Sequence, residues 1–156
     1  MSTINGLPAH VLLVHFIVIL APLTAILAIV CALWVAARRH LTWLVLALAV
    51  LTLILTPLTT DAGEWLEKHE ERSAVLHAHT ELGDTMLYFA IALAAAAVFL
   101  AFIHVRETRG KSVKPVAHWV IAALVIIISL ATTVQVYRIG DSGAKASWGN
   151  FAATKP

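Results

Sequence analysis

Two pairs of histidines stand out in a chain that is otherwise dominated by aliphatic residues. His10 and His15 lie in the N-terminal segment, and His77 and His79 lie near the middle of the chain. A neutral imidazole is a good ligand for haem iron and for other transition-metal ions. The two pairs are therefore the first candidates for chemistry, and the elements that position them decide which members can meet.

The composition indicates an integral membrane protein. Hydrophobic residues make up 60% of the 156 residues and charged residues only 13%, which leaves too few polar groups to cover a water-soluble globule. Four apolar stretches have the roughly 20 residues needed to cross a bilayer. They are residues 8–37, 41–60, 79–105 and 115–137. Because the first and third connections are short, we expect an all-α fold: one membrane domain over residues 1–156, built as an antiparallel four-helix bundle.

Lysine and arginine are distributed unevenly between the connections. The first and third connections carry the basic residues Arg38, Arg39, Arg106, Arg109, Lys111 and Lys114, whereas the segment from Asp61 to Asp84 carries seven acids. The positive-inside rule predicts a multi-pass plasma-membrane protein with cytoplasmic basic loops. Both termini, an acidic loop over residues 61–78 and a tail over residues 138–156 then lie outside. We expect a short amphipathic helix to start at Asp61, and Gly140 to end the fourth helix so that the tail folds back over the outer face.

Helix geometry distinguishes the members of each histidine pair. Counting back from the basic anchors at about 1.5 Å per residue places His15 and His79 at similar depth, roughly 5 to 10 Å beyond the outer hydrocarbon boundary. His77 and His79 are about 200° apart around a helix, and His79 shares its face with Gly83, which leaves room for a flat macrocycle. We therefore expect His15 and His79 to be the axial ligands of a haem b, with His10 as a second ligand or a rim group. The protein would then be an electron carrier with a redox partner, or a haem sensor.

Two alternatives from other functional classes remain open. A copper, zinc or iron ion could be bound by histidines and carboxylates, for which the candidates are His10, His15, His79, Asp84 and Asp141. The chain could instead be a non-catalytic accessory subunit of a larger membrane complex or a homo-oligomer, since alanine-rich spans permit close helix contacts. No catalytic residue and no nucleic-acid partner are predicted, because the sequence has no phosphate-binding loop, no nucleophile elbow and no acid within a span.

Three further histidines, His40, His104 and His118, lie at the opposite, basic edge of the predicted bundle. His79 and His104 are separated by roughly 37 Å of helix, which is longer than the hydrocarbon itself. This separation argues against a simple two-haem arrangement across the membrane. We expect these histidines to lie at the interface beside the basic loops.

Four sequence blocks resemble the family called domain of unknown function 2231. They are Gly6-Leu-Pro-Ala-His-Val-Leu-Leu-Val-His-Phe, Ala62-Gly-Glu-Trp-Leu-Glu, His79-Thr-Glu-Leu-Gly-Asp-Thr and Tyr137-Arg-Ile-Gly-Asp-Ser-Gly-Ala-Lys-Ala-Ser-Trp. The resemblance implies a membrane protein and carries no reaction with it. It places emphasis on His10, His15 and His79, which match histidines typical of the family. Many relatives have a histidine in the closing motif where this chain has Asp141, so the resemblance implies a change of coordination or of cofactor if that histidine is a ligand elsewhere.

Overall fold

The computed structural model of the chain describes residues 3–4, 7–69, 73–111 and 113–153, with side chains for residues 9–149 of that set. Two short strands, β1 (Thr3–Ile4) and β2 (Leu7–Pro8), pair antiparallel ahead of the first helix. The helices are α1 (Ala9–Leu33), α2 (Val35–Glu67), α3 (Ala74–Asp84), α4 (Met86–Thr108) and α5 (Pro115–Ala153).

The helices confirm the predicted all-α membrane architecture. Only Thr85 separates α3 from α4, and together they form one long segment. Within the described ranges, four helical segments are long and apolar enough to cross a membrane: α1, α2, α3 with α4, and α5. Their lengths follow from near-continuous runs of leucine, valine, isoleucine and alanine, which favour a buried or lipid-facing helix over an amphipathic one.

The bundle has two chemically different ends. α1 packs between α2 and α5, and α4 packs against the same two helices from the other side. At one end His10, near the start of α1, contacts Thr59 near the end of α2. At the other end Arg38, near the start of α2, contacts Cys31 near the end of α1, so the two helices are antiparallel. We call these the histidine end and the arginine end.

Small side chains fill the interior of the bundle. One buried cluster, nearer the arginine end, consists mainly of alanines with Cys31, Val45, Leu100 and Val125. A second cluster of Ile17, Ala21, Met86 and Val136 lies towards the histidine end. Alanine allows the helix backbones to approach closely, which is the usual basis of helix association in membranes. The hydroxyls of buried threonines donate to the carbonyl four residues earlier on the same helix, as Thr52 donates to Leu48.

The first connection is shorter than the sequence indicates. α1 ends at Leu33 rather than near residue 37, and Trp34 alone links it to α2. Arg38 is therefore a helical residue and is only 1% exposed. Its guanidinium donates to both carboxylate oxygens of Glu107 on α4, at 2.7 and 3.1 Å, and to the carbonyl of Cys31 at 2.8 Å. Arg38 thus joins three helices, whereas we expected a loop residue in water.

Two helices extend beyond their predicted ends at the histidine end. α2 continues without a break from the span to Glu67, so the expected separate helix starting at Asp61 is not formed. α5 continues through Gly140 to Ala153, and the residues expected to fold back as a tail are helical instead. Residues 61–67 and 138–149 therefore project beyond the apolar part of the bundle as the last turns of α2 and α5. Polar residues alone do not end a helix, because packing against a neighbouring helix overrides local sequence preference.

Hydrogen bonds from α5 surround the break between α3 and α4. The Thr85 hydroxyl donates to the Leu82 carbonyl at 2.6 Å, and the Gln135 amide donates to the Thr85 hydroxyl at 2.7 Å. α3 has no buried residue along its 11 positions, so its attachment depends on such specific contacts. Thr85 itself keeps helical dihedral angles, so α3 continues α4 towards the histidine end, where it contacts α5 and α2.

His104 differs from the expectation that it lies at the interface. It is 7% exposed, it meets Trp43 edge-on with ring centres 6.0 Å apart, and its Nδ1 has no hydrogen-bond partner among the described residues. His40 remains exposed and bonds to the Ala36 carbonyl of its own helix. The arginine end thus buries one of its histidines inside the bundle.

Candidate functional site

A cavity of about 580 Å³ lies at the histidine end of the bundle. Its wall is mostly apolar, with Ile17, Met86 and Val136 of the second core cluster among the lining residues. The volume falls within the roughly 300 to 1,000 Å³ that is typical of small-molecule and cofactor pockets. Three histidines also line it: His10 and His15 of α1 and His79 of α3.

His10 is held by the end of α2. Its Nδ1 lies 3.0 Å from the carbonyl oxygen of Thr59. A carbonyl only accepts hydrogen bonds, so His10 must be the donor and its proton is on Nδ1. In the neutral imidazole the second nitrogen, Nε2, then carries the lone pair that a metal needs.

His79 is held in the same way by α5. Its Nδ1 lies 2.8 Å from the hydroxyl oxygen of Ser142, and that hydroxyl lies 2.9 Å from the Ile139 carbonyl. The Ser142 hydroxyl donates its single proton to this carbonyl and therefore accepts from His79. This arrangement favours a proton on Nδ1 of His79, as the Thr59 carbonyl does for His10, and in the neutral imidazole it leaves the Nε2 lone pair available.

The structure brings His10 and His79 together. Their ring centres are 6.2 Å apart and the ring planes are nearly perpendicular, at 79°. We expected His15 to be the partner of His79. His15 also lines the cavity, but its Nδ1 bonds to the Val11 carbonyl of its own helix and the side chain is exposed. Of the two histidines on α1, His10 is the one that meets His79.

The remaining predicted site residues fall into two groups. Gly83 and Asp84 both line the cavity, and an added Cβ at Gly83 would have no atom within 4 Å. Asp141 is absent from the lining residues and forms an ion pair with Lys145 at 2.6 Å. Across the described residues, no group of three or more His, Cys, Asp or Glu side chains is arranged to hold a metal ion.

His77 occupies the solvated side of α3, as the helical phase predicts. Its Nδ1 lies 2.9 Å from a Glu67 carboxylate oxygen, and its Nε2 lies 3.4 Å from Glu81. Both contacts are at the surface, where an ion pair contributes little to stability. His77 therefore helps to tie α3 to the end of α2 and is not among the residues that line the cavity.

Three residues that hold the histidines were not identified from the sequence. Gly63 lies directly under the His10 ring and Gly143 lies under the His79 ring, because an added Cβ would come within 2.9 Å of a ring atom in each case. Ser142 is the hydrogen-bond acceptor of His79. The one available signal was the repeated Asp-x-Gly of Asp61-Ala-Gly63 and Asp141-Ser-Gly143.

Comparison with known proteins places the whole chain in one family. The family model described as a predicted membrane protein (DUF2231) matches residues 6–156. No curated protein and no solved structure matches the chain. The matched region includes the histidines, the three residues that hold them and all four membrane-spanning segments. The chain therefore belongs to the DUF2231 family of predicted membrane proteins, and it is a multi-pass membrane protein.

Proposed function

We propose that the protein binds haem b at the histidine end, with His10 and His79 as the axial ligands of the iron. The observation that carries the proposal is the pair of imidazoles 6.2 Å apart, each tethered through Nδ1 to a neighbouring helix. Metal–imidazole bonds are about 2.0 to 2.1 Å long, so two imidazoles on opposite sides of one ion have ring centres roughly 6 Å apart. Tethering of the second nitrogen is the usual way to fix a ligand histidine.

The number of available ligands favours haem over a bare metal ion. A haem iron needs at most two ligands from the protein, whereas a zinc site takes at least three. Two histidines meet in the cavity, and Asp141 is paired elsewhere. The apolar wall and the open face of Gly83 suit a flat, hydrophobic macrocycle. Bound haem would supply one-electron chemistry, so the function is that of a b-type-cytochrome-like electron carrier or a haem sensor.

The site would lie at the outer surface of the plasma membrane. The arginine end carries Arg39, Arg106 and the basic third connection, and the histidine end carries the acids of α2 and α3. Applied to this bundle, the positive-inside rule makes the arginine end cytoplasmic. A redox partner, or a larger membrane complex, would then meet the site from the outside.

Absorption spectra of the detergent-purified protein from haem-replete cells, oxidised and dithionite-reduced, test the proposal. We expect a Soret band that is lost in His10→Ala and in His79→Ala. His77→Ala is the matched control and should keep the band, since His77 bonds to Glu67 outside the cavity. A colourless natural protein would overturn the proposal. Loss of the band in His15→Ala with its retention in His10→Ala would reassign the ligand on α1 to His15.

The same preparation tests the metal alternative by elemental analysis. One equivalent of copper or zinc without haem, lost in His79→Ala, would favour a transition-metal site. That result would require a further ligand to move into the cavity, and Asp84 is the carboxylate already lining it.

A further inference from the structure

We propose that Gly63 and Gly143 are positioning residues that seat the two histidines and direct their Nε2 atoms into the cavity. Their role in haem binding rests on the proposed function, but the seats, which we define as the contacts of Gly63 with His10 and of Gly143 with His79, lie within this chain. An added Cβ at Gly63 would lie 2.9 Å from His10 Nδ1 and 3.0 Å from its Cε1. An added Cβ at Gly143 would lie 2.9 Å from His79 Cε1.

The two seats have the same construction. In an α-helix the carbonyl of residue n accepts the N–H of residue n+4. Thr59 and Gly63 have this relation on α2, and the Thr59 carbonyl also accepts the His10 proton. Ile139 and Gly143 have it on α5, where the Ile139 carbonyl accepts the Ser142 proton. In each seat a glycine stands one turn after the carbonyl that anchors the histidine, directly for His10 and through the Ser142 hydroxyl for His79.

The missing side chain explains how an imidazole reaches the helix backbone. A helix carbonyl keeps a second lone pair after its intrahelical bond is made, but side chains of the following turn normally cover it. Glycine at n+4 leaves that approach open, so the ring comes close to the backbone: Nδ1 and Cε1 are the nearest atoms of His10 at Gly63, and Cε1 is the nearest atom of His79 at Gly143. An alanine methyl carbon at Gly63 or Gly143 would lie 2.9 Å from a ring atom, which is closer than van der Waals contact, so the imidazole would have to move.

The seats recur in the two halves of the bundle. The α1–α2 hairpin carries His10 near its start and Asp61-Ala-Gly63 near its end, and the segment from α3 to α5 carries His79 in its first helix and Asp141-Ser-Gly143 in its last. Each half thus supplies one histidine and one seat. The halves differ at the residue before the glycine, where Ala62 lets His10 reach the carbonyl directly and Ser142 stands between His79 and Ile139.

The test uses the haem-free protein in detergent with ¹⁵N-labelled histidine, because the seats exist without a bound group. At a pH at which both imidazoles are neutral, we expect nitrogen NMR to show the proton on Nδ1 of His10 and of His79. Gly63→Ala should abolish this signature for His10 and leave that of His79, and Gly143→Ala should do the reverse. Gly149→Ala is the matched control, because it also changes a glycine of α5 but an added Cβ there would have no atom within 4 Å.

Haem titration of the same variants gives the second measurement. We expect about a 10- to 100-fold loss of affinity for Gly63→Ala and for Gly143→Ala, the range typical of changes to residues that hold a metal ligand. Gly149→Ala should bind haem as the natural protein does.

The proposal is overturned if the natural protein carries the proton on Nε2 of either histidine, a result that needs no variant to fold. It is also overturned if both alanine variants keep the natural NMR signature. A natural protein that binds no haem while its variants show the expected NMR changes would remove the haem function and leave the seats established.

Discussion

Ser142 makes the environment of His79 chemically different from that of His10. Its hydroxyl accepts from His79 at 2.8 Å and donates to the Ile139 carbonyl at 2.9 Å. A neutral hydrogen bond of this kind is worth about 0.5 to 1.5 kcal/mol. In Ser142→Ala the imidazole can still turn to the Ile139 carbonyl, as His10 already does to Thr59. The effect of this change should therefore be smaller than that of Gly143→Ala.

We expect Ser142→Ala to weaken haem binding about 2- to 10-fold in a titration of the purified protein. Ser142→Thr keeps a hydroxyl on the same carbon and should restore most of the affinity. An equal loss in both variants would show that the hydroxyl is not the group that holds His79.

The preference for His15 over His10 has a simple geometric cause. Counting the depth of the histidines back from residue 37 favours His15, but α1 ends at Leu33. Four residues correspond to about 6 Å of helix, so the outer boundary moves towards the N-terminus and His10 takes the depth that was assigned to His15. The residue types and their end of the bundle could be read from the sequence. The choice between two histidines on one helix depended on a turn at Trp34 that no sequence signal indicated.

The seats were harder to predict, because they depend on contacts between helices that are distant in sequence. Gly63 and His10 are 53 residues apart, and Gly143 and His79 are 64 residues apart. A glycine within a helical pattern indicates a close approach without naming its partner. Ser142 is equally ordinary until the helix that carries it is known to continue past Gly140.

At the scale of whole helices, Arg38 holds the arginine end together. Its guanidinium binds Glu107 on α4 with two hydrogen bonds and the carbonyls of Cys31 and Ala32 at the end of α1. The last carbonyls of a helix have no partner within it, so these bonds satisfy groups that would otherwise be exposed to an apolar surrounding. The planar guanidinium makes this possible where an ammonium would not.

We expect Arg38→Ala to destabilise the protein by about 3 kcal/mol, the lower end of the cost of removing one partner of a buried pair, because the Glu107 side chain left behind is 26% exposed. Thermal unfolding in detergent, followed by circular dichroism, measures the loss. Arg39→Ala is the matched control, because Arg39 is exposed and its removal should change the stability by less than about 0.5 kcal/mol. Equal stability of the two variants would contradict this role of Arg38.

The number and order of spanning helices followed from composition and length, but their ends did not. Acidic residues after Thr60 end an apolar stretch of the sequence, and the helix nevertheless continues to Glu67. Hydropathy reports where the hydrocarbon ends, whereas helix ends depend on local packing. The extra turns matter, because Gly63 and Gly143 both lie in them.

At the scale of the whole molecule, we expect the site to lie where the hydrocarbon meets the headgroups. Residues 41–60 of α2 carry no charge and cover about 30 Å, the thickness of the hydrocarbon core. Trp34, Trp43 and Trp119 are exposed near the arginine end, as expected for an aromatic belt. At the other boundary, the uncharged stretch ends at Thr60 and the first acid is Asp61, so Thr59 and Gly63 lie on either side of this boundary. We therefore expect the histidines to be within reach of a water-soluble partner on one side of the membrane only.

Cysteine labelling identifies that side of the membrane. The chain suits this experiment because its one cysteine, Cys31, is fully buried, and buried thiols react poorly. The natural protein thus serves as the unlabelled control. Lys68→Cys places a thiol at the end of α2, where the lysine is largely exposed, and Lys111→Cys places one in the third connection. With a membrane-impermeant maleimide on intact cells, we expect labelling of Lys68→Cys alone, and labelling of Lys111→Cys only after permeabilisation. The reverse pattern would put the histidine site in the cytoplasm and would require any redox partner to be cytoplasmic, because an exchange partner must reach the end of the bundle that holds His10 and His79.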